Sequence, residues 1–188
     1  MTAALTHKNN HFVPEFLLKQ WATDSDNKLA WFCFEEERFL AGRTTPKHVG
    51  AATHLYSTGG FEGHPHSTNF EKNYMGPVID DPAARALRVI LQSGVAKLSD
   101  DQRADWARYL VVQFVRVPEM VAQSRARGKE IILEDWPRKL AQDYPDTSED
   151  DWRATLQEHE GTRDLAIYSF PRIAESPLLN RATLDLTG

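Results

Sequence analysis

The stretch from Ser99 to Pro118 leaves the chain little choice but a long helix. Ser99-Asp100-Asp101-Gln102 has the form of a capping box, in which the serine and glutamine side chains satisfy each other's unpaired backbone N–H groups. Trp106, Leu110, Phe114 and Val117 follow at helical spacing and predict its inner stripe. Pro118 removes an N–H and clashes with the preceding turn, so the helix should kink or end near Val117. A helix bracketed in this way needs others to cover it. Phe70, Tyr74 and Val78 mark one buried face of a helix opening at Asn69. Asp80-Asp81-Pro82 reads as a helix restart, an aspartate cap with proline at the first position, after which Leu87, Ile90 and Leu91 face the core. Helical stretches are also expected over residues 120–127 and 131–144, and Thr147 or Ser148 can cap one through Trp152 and Leu156.

The first 68 residues have a different grain. Pro14 suits the first turn of a short helix over residues 14–22, with Phe16, Leu17 and Trp21 packing inward. Residues 29–34, Leu-Ala-Trp-Phe-Cys-Phe, read as a strand that returns through Arg38-Phe39-Leu40 after a glutamate turn, a β-hairpin. Cys33 in that strand is expected to be a core residue. Residues 41–69 are loop-like, with a possible strand at His54-Leu55-Tyr56-Ser57, and residues 165–170 read as a final strand. The expected fold is therefore mainly α, one domain over residues 1–188: a hairpin and loop region (1–68), a helical region (69–164) and a C-terminal strand or tail (165–188).

Composition narrows the functional classes. The 188 residues are 41% hydrophobic and 26% charged, enough to bury a core without staples. A single cysteine excludes an intrachain disulfide and a cysteine-rich zinc site. No stretch approaches the roughly 18 apolar residues of a membrane span, and no signal-like run opens the chain, so a soluble cytoplasmic location is expected. A net charge of −5 argues against broad, salt-driven nucleic-acid binding. Six of the seven histidines fall in the first 66 residues, which places candidate acid–base chemistry in the N-terminal half.

Three constellations carry candidate chemistry. Asn10, His11 and Glu15 flank a helix N-terminus, where they can form an acid–base pair, hold a metal, or simply cap the helix and satisfy a loop carbonyl. His64-Pro65-His66 with His54 can converge on a metal or remain exposed loop histidines. Arg116, flanked by Val115 and Val117 and near Gln113 and Glu119, is expected to enter the core and pair with a carboxylate, Glu71 or Glu15 being the first choices. It is then either an anion clamp or a structural salt bridge. The run Arg125-Ala126-Arg127-Gly128-Lys129 reads as a solvated helix end.

The segment Asn10-His11-Phe12-Val13-Pro14-Glu15-Phe16-Leu17-Leu18-Lys19-Gln20-Trp21, followed by Pro46 with Val49-Gly50, Tyr56, Asn69-Phe70-Glu71 and Gln113-Phe114-Val115-Arg116-Val117-Pro118, resembles the largely bacterial family called domain of unknown function 4238. Asn10 stands where the family's first histidine is usual, and Glu15 where a glutamine is common. The family's C-terminal Ser-Asp-x-Pro segment has no counterpart here. The resemblance implies a fold and candidate positions but no reaction. The first motif also resembles that of His-Asn-His nucleases, although their second Asn and His on a ββα-metal unit have no counterpart. The leading expectation is a metal-dependent hydrolase or nuclease-like enzyme using His11, Glu15 and Arg116, with Asn10, Glu71 and Gln113 binding an unknown ligand. The alternative is a non-catalytic binding or protein-interaction domain in which the same cluster is structural. Metal, cofactor, ligand and oligomeric state are not readable from the sequence.

Overall fold

The structure is a computed structural model that describes residues 9–22, 25–60, 63, 65–158 and 164–177. It is mainly α, with two short antiparallel strand pairs near the N-terminus. Strand β1 (Asn9–His11) pairs with β4 (Ala51–Thr53), with Asn10 opposite Ala52. Between them come α1 (Glu15–Leu18), which runs on as a 3-10 turn, and the hairpin of β2 (Leu29–Glu35) and β3 (Arg38–Thr44). The pair Glu35↔Arg38 leaves a two-residue turn, and Glu36 and Glu37 both take positive φ there (47° and 63°), as a tight hairpin requires.

The helical part begins at Asn69. A widened π-helical segment, Glu71–Asp80, leads without a break into α2 (Asp81–Ser93). Then follow α3 (Asp100–Val115), α4 (Pro118–Glu130), a second π-helical segment (Ile131–Asp135), α5 (Trp136–Asp143), α6 (Glu149–Glu158) and α7 (Leu165–Ala174). The capping box forms as expected: Gln102 N–H donates to Ser99 Oγ (3.3 Å) and Ser99 N–H to Gln102 Oε1 (3.0 Å). Pro118 ends the long helix, whose last residue is Val115, and starts the next. Ser148 Oγ accepts from Asp151 N–H (3.1 Å) ahead of α6. The core joins Tyr56, Met75 and Ile79 to Tyr109 and Val112 of α3, Val121 of α4, and Ile167 and Phe170 of α7.

Several local expectations are corrected. Residues 165–170 are helical: Ile167, Phe170 and Ala174 repeat at helical spacing and face the core. His54-Leu55-Tyr56 is a turn and the strand lies just before it, in Ala51–Thr53. Asp80 does not interrupt a helix. Its φ and ψ (−76°, −40°) are helical and its side chain caps nothing. Phe114 is 78% exposed. Each step of four residues advances about 40° around a helix, so Trp106, Leu110 and Phe114 drift away from the buried line of Tyr109, Val112 and Arg116. Leu91 is exposed for the same reason of phase, Trp21 is exposed where α1 tightens into the 3-10 turn Lys19–Trp21, and Cys33 is only half-buried, on a hairpin that stands clear of the core.

The N-terminal helix docks as expected through Phe16, whose ring meets Tyr109 at 5.5 Å; Trp106 stacks on the same tyrosine at 5.0 Å. Entry to α1 is fixed by Gly50, whose carbonyl accepts from Phe12 N–H (2.7 Å) and Val13 N–H (3.0 Å). Gly50 has φ +63°, and a Cβ there would approach Val13 Cβ to 2.9 Å, so only glycine fits.

Candidate functional site: a buried arginine knot

The site is built where α3 ends. Arg116 occupies the residue after its last turn and is wholly buried. Its guanidinium grips Asp80 with both arms, Nη1 to Oδ1 at 2.7 Å and Nη2 to Oδ2 at 3.2 Å. Nη2 also donates to the His11 carbonyl (2.6 Å), and Nε to Tyr56 Oη (3.3 Å). Tyr56 in turn donates its hydroxyl proton to the Arg116 carbonyl (2.7 Å). The buried Asn10 accepts the Tyr56 N–H at Oδ1 (3.2 Å), and Gln113 Nε2 donates to the Phe12 carbonyl (3.2 Å). One arginine thus ties together β1, the turn after β4, the π-helical segment and the end of α3.

A fork-shaped guanidinium suits this role, because it meets a carboxylate with two parallel hydrogen bonds and still has donors to spare. Burial disfavours the Arg116 charge, but Asp80 and the Tyr56 hydroxyl outweigh it and hold the group protonated. Burial likewise pushes the Tyr56 and Tyr109 hydroxyls up, so both remain neutral donors. Beside this saturated pair lies Glu71. Burial pushes its carboxyl up to about 7, the Asp80 charge adds to the rise, and Arg116 opposes it. Glu71 Oε2 is buried with no hydrogen-bond partner, as are Asn10 Nδ2, His11 Nε2, Tyr109 Oη and Gln113 Oε1.

The expected residues are therefore sorted by the fold. Asn10, His11, Gln113 and Arg116 converge, and Glu71 lies within electrostatic reach of Arg116 and Asp80. His11 takes part through its carbonyl. Glu15 does not pair with Arg116. Its carboxylate bonds Lys19 one turn along (2.9 Å), which holds it below its ordinary range, and it lines a surface cleft of about 350 Å³ with Lys47 and Asp26. Arg116 does have a carboxylate partner, but it is Asp80 and neither Glu71 nor Glu15. Asp80 was hidden by its cap-like sequence. Tyr56 sits in a run that reads as a strand. Of the loop histidines, His64 lies outside the described residues, and His54 and His66 stack face to face, ring centroids 3.8 Å apart. Parallel rings do not aim their nitrogens at one point, and among the described residues no three His, Cys, Asp or Glu side chains come together as metal ligands. No described helix is long and apolar enough to cross a membrane.

Fold and site together define a helical domain whose N-terminal strand and helix are fastened by a buried arginine–aspartate pair. The chain belongs to the DUF4238 family, described as protein of unknown function; the family model matches residues 9–174. No curated protein and no solved structure matches the chain.

Proposed function

We propose that this is a protein-interaction domain in which the Arg116 knot is structural and the β2–β3 hairpin is the contact surface, its partner being a second copy of the chain. The observation that carries the reading is the aromatic face of the hairpin. Phe32 (81% exposed) and Phe34 (62%) share one face, and Phe39 (79%) stands directly across from Phe34, their rings 5.0 Å apart. At about 200 Å² per ring, this face leaves roughly 450 Å² of aromatic surface open. Two copies would bury roughly 900 Å² in all, the size of a weak, transient interface. Charge complementarity supports self-pairing. The tip carries Glu35, Glu36 and Glu37 against the single Arg38, and the base carries Lys28 and Arg43 against the single Asp26 that both contact. The tip stays net negative and the base net positive, so antiparallel two-fold pairing sets each tip against the other base.

Sedimentation velocity across a concentration series tests this. The expected result is a reversible dimer in the micromolar range or weaker, abolished in the double variant Phe32→Ser/Phe39→Ser with helical content unchanged. A wild-type chain that stays monomeric up to several hundred micromolar would overturn the reading.

A second reading, hydrolysis, is favoured by Glu71: a buried carboxyl that titrates near neutrality is suited to general acid–base work. His11, Asn10 and Gln113 would supply the surrounding polar contacts. Turnover on a panel of nitrophenyl esters and phosphoesters, with and without added divalent metal, would then fall about a hundredfold or more in Glu71→Gln.

A further inference from the structure

A second polar cavity, outside the Arg116 knot, has the makings of a ligand site. It is open to solvent, holds about 260 Å³ and is lined by His54, Ser57, Gly59, Gly60, His66, Arg125 and Asp164. Four stretches of chain build it: the turn after β4, the return through His66, α4, and the residue preceding α7. The base of the loop is closed by Thr58 and Ser67, which exchange backbone hydrogen bonds (3.2 and 2.8 Å). Arg125 reaches in from α4 and donates from Nη2 to the Ser57 carbonyl (3.0 Å), while the Gly59 N–H donates to Asp164 Oδ2 (2.9 Å). Gly60 has φ +84°, and a Cβ there would run into the His66 ring. Glycine is what lets the loop close over the imidazole.

Three features point to an anion. Arg125 makes no ion pair with a described carboxylate: its guanidinium bonds the Ser57 carbonyl, and the Asp164 carboxylate that shares the cavity is held by the Gly59 N–H. The imidazoles of His54 and His66 lie parallel, 6° between planes, with His54 Nδ1 3.2 Å from Ser57 Oγ. A neutral imidazole still carries one N–H donor, so the pair needs no added charge to hold an anionic oxygen. His66 Nδ1 is buried with no hydrogen-bond partner, a donor or acceptor that burial leaves costly unless something occupies the cavity. Asp164, largely buried, adds one acceptor among these donors. The cavity is several times the roughly 30 Å³ share of one water, so it has room for a phosphoryl group and a short hydroxylated fragment.

We infer that this cavity binds a phosphate monoester of a small hydroxylated compound, its phosphoryl oxygens held by Arg125, His54 and His66, and a hydroxyl accepted by Asp164. Isothermal titration of the full chain with inorganic phosphate, glycerol 3-phosphate and glycerol tests the assignment. Glycerol 3-phosphate should bind, inorganic phosphate should bind more weakly, and glycerol should not bind. Arg125→Gln and His66→Gln should each weaken glycerol 3-phosphate at least tenfold while melting temperature and helical content hold. Absence of glycerol 3-phosphate binding by the wild type would overturn the proposal. So would binding left unchanged in both folded variants, or glycerol binding as well as its phosphate.

Discussion

Asp80→Ala should lower the melting temperature further than Arg116→Met, although each removes one half of the same ion pair. The asymmetry follows from burial. Arg116 is fully enclosed and cannot shed its proton, so without Asp80 it becomes a buried charge hydrogen-bonded only to the His11 carbonyl and the Tyr56 hydroxyl, with Glu71 near it but not bonded to it. Breaking a buried pair in that direction costs about 3–5 kcal/mol. For a chain of this size that is roughly 10 °C in melting temperature. Asp80 keeps 18% of its side chain exposed and can rehydrate when Arg116 is replaced by methionine, which also fills much of the vacated volume. That variant should lose about 2 kcal/mol, mainly the unmet His11 carbonyl, since the Tyr56 hydroxyl keeps its bond to the backbone carbonyl of residue 116. The double variant Asp80→Ala/Arg116→Met should lose clearly less than the sum of the two single losses, because it leaves no buried charge without its partner. Thermal and urea denaturation of the four proteins reads this directly. Equal losses in the two single variants, or simple additivity in the double, would show that the pair does not fasten the fold as its geometry implies.

The same pair shows where the sequence was legible and where it was not. That Arg116 enters the core and needs a carboxylate could be read from the valines on either side of it. Which carboxylate could not. The Asp-Asp-Pro string is a sound local signal for a helix start, yet Pro82 is tolerated inside a helix that is already widened around Pro77, and the aspartate is free to serve Arg116. Tertiary demand overrode a local rule at the residue on which the knot depends. The capping box, the stop at Pro118 and the presence of the hairpin were legible because each is decided within a few residues. The turn itself is shorter than the expected Glu35-Glu36-Glu37, since Glu35 joins the strand and pairs with Arg38. The pairing of β1 with β4 was not, because two three-residue strands separated by forty residues carry no periodic signal. Arg125 makes the same point on the surface. Its neighbour Arg127 pairs with Glu130 as a solvated helix end should (2.6 Å), but Arg125 turns inward to a loop carbonyl. Composition could not separate them.

Glu71→Gln should make the protein more stable at alkaline pH and leave it nearly unchanged in acid. In the folded chain the Glu71 carboxyl holds its proton up to about pH 7, whereas its ordinary value is 4.5. Between those two values the native state binds more protons than the unfolded state, so stability falls as pH rises. The contribution is intact below about pH 4.5, erodes across the window and is fully lost above pH 7. A rise of this size corresponds to about 3 kcal/mol, an upper figure because the side chain retains some contact with water. Glutamine keeps the shape of the protonated carboxyl and carries no charge to be desolvated. The difference in unfolding free energy between Glu71→Gln and wild type should therefore be near zero at pH 4.5 and approach about 3 kcal/mol in favour of the variant by pH 8. Subtracting the two proteins cancels the other titrating groups, which both share. A pH-independent difference, or one that favours wild type as pH rises, would mean that Glu71 is not held in a desolvating environment. The acid–base reading loses its basis in that event. A variant that gains stability yet loses turnover would instead mark Glu71 as a group kept at a thermodynamic cost for its chemistry.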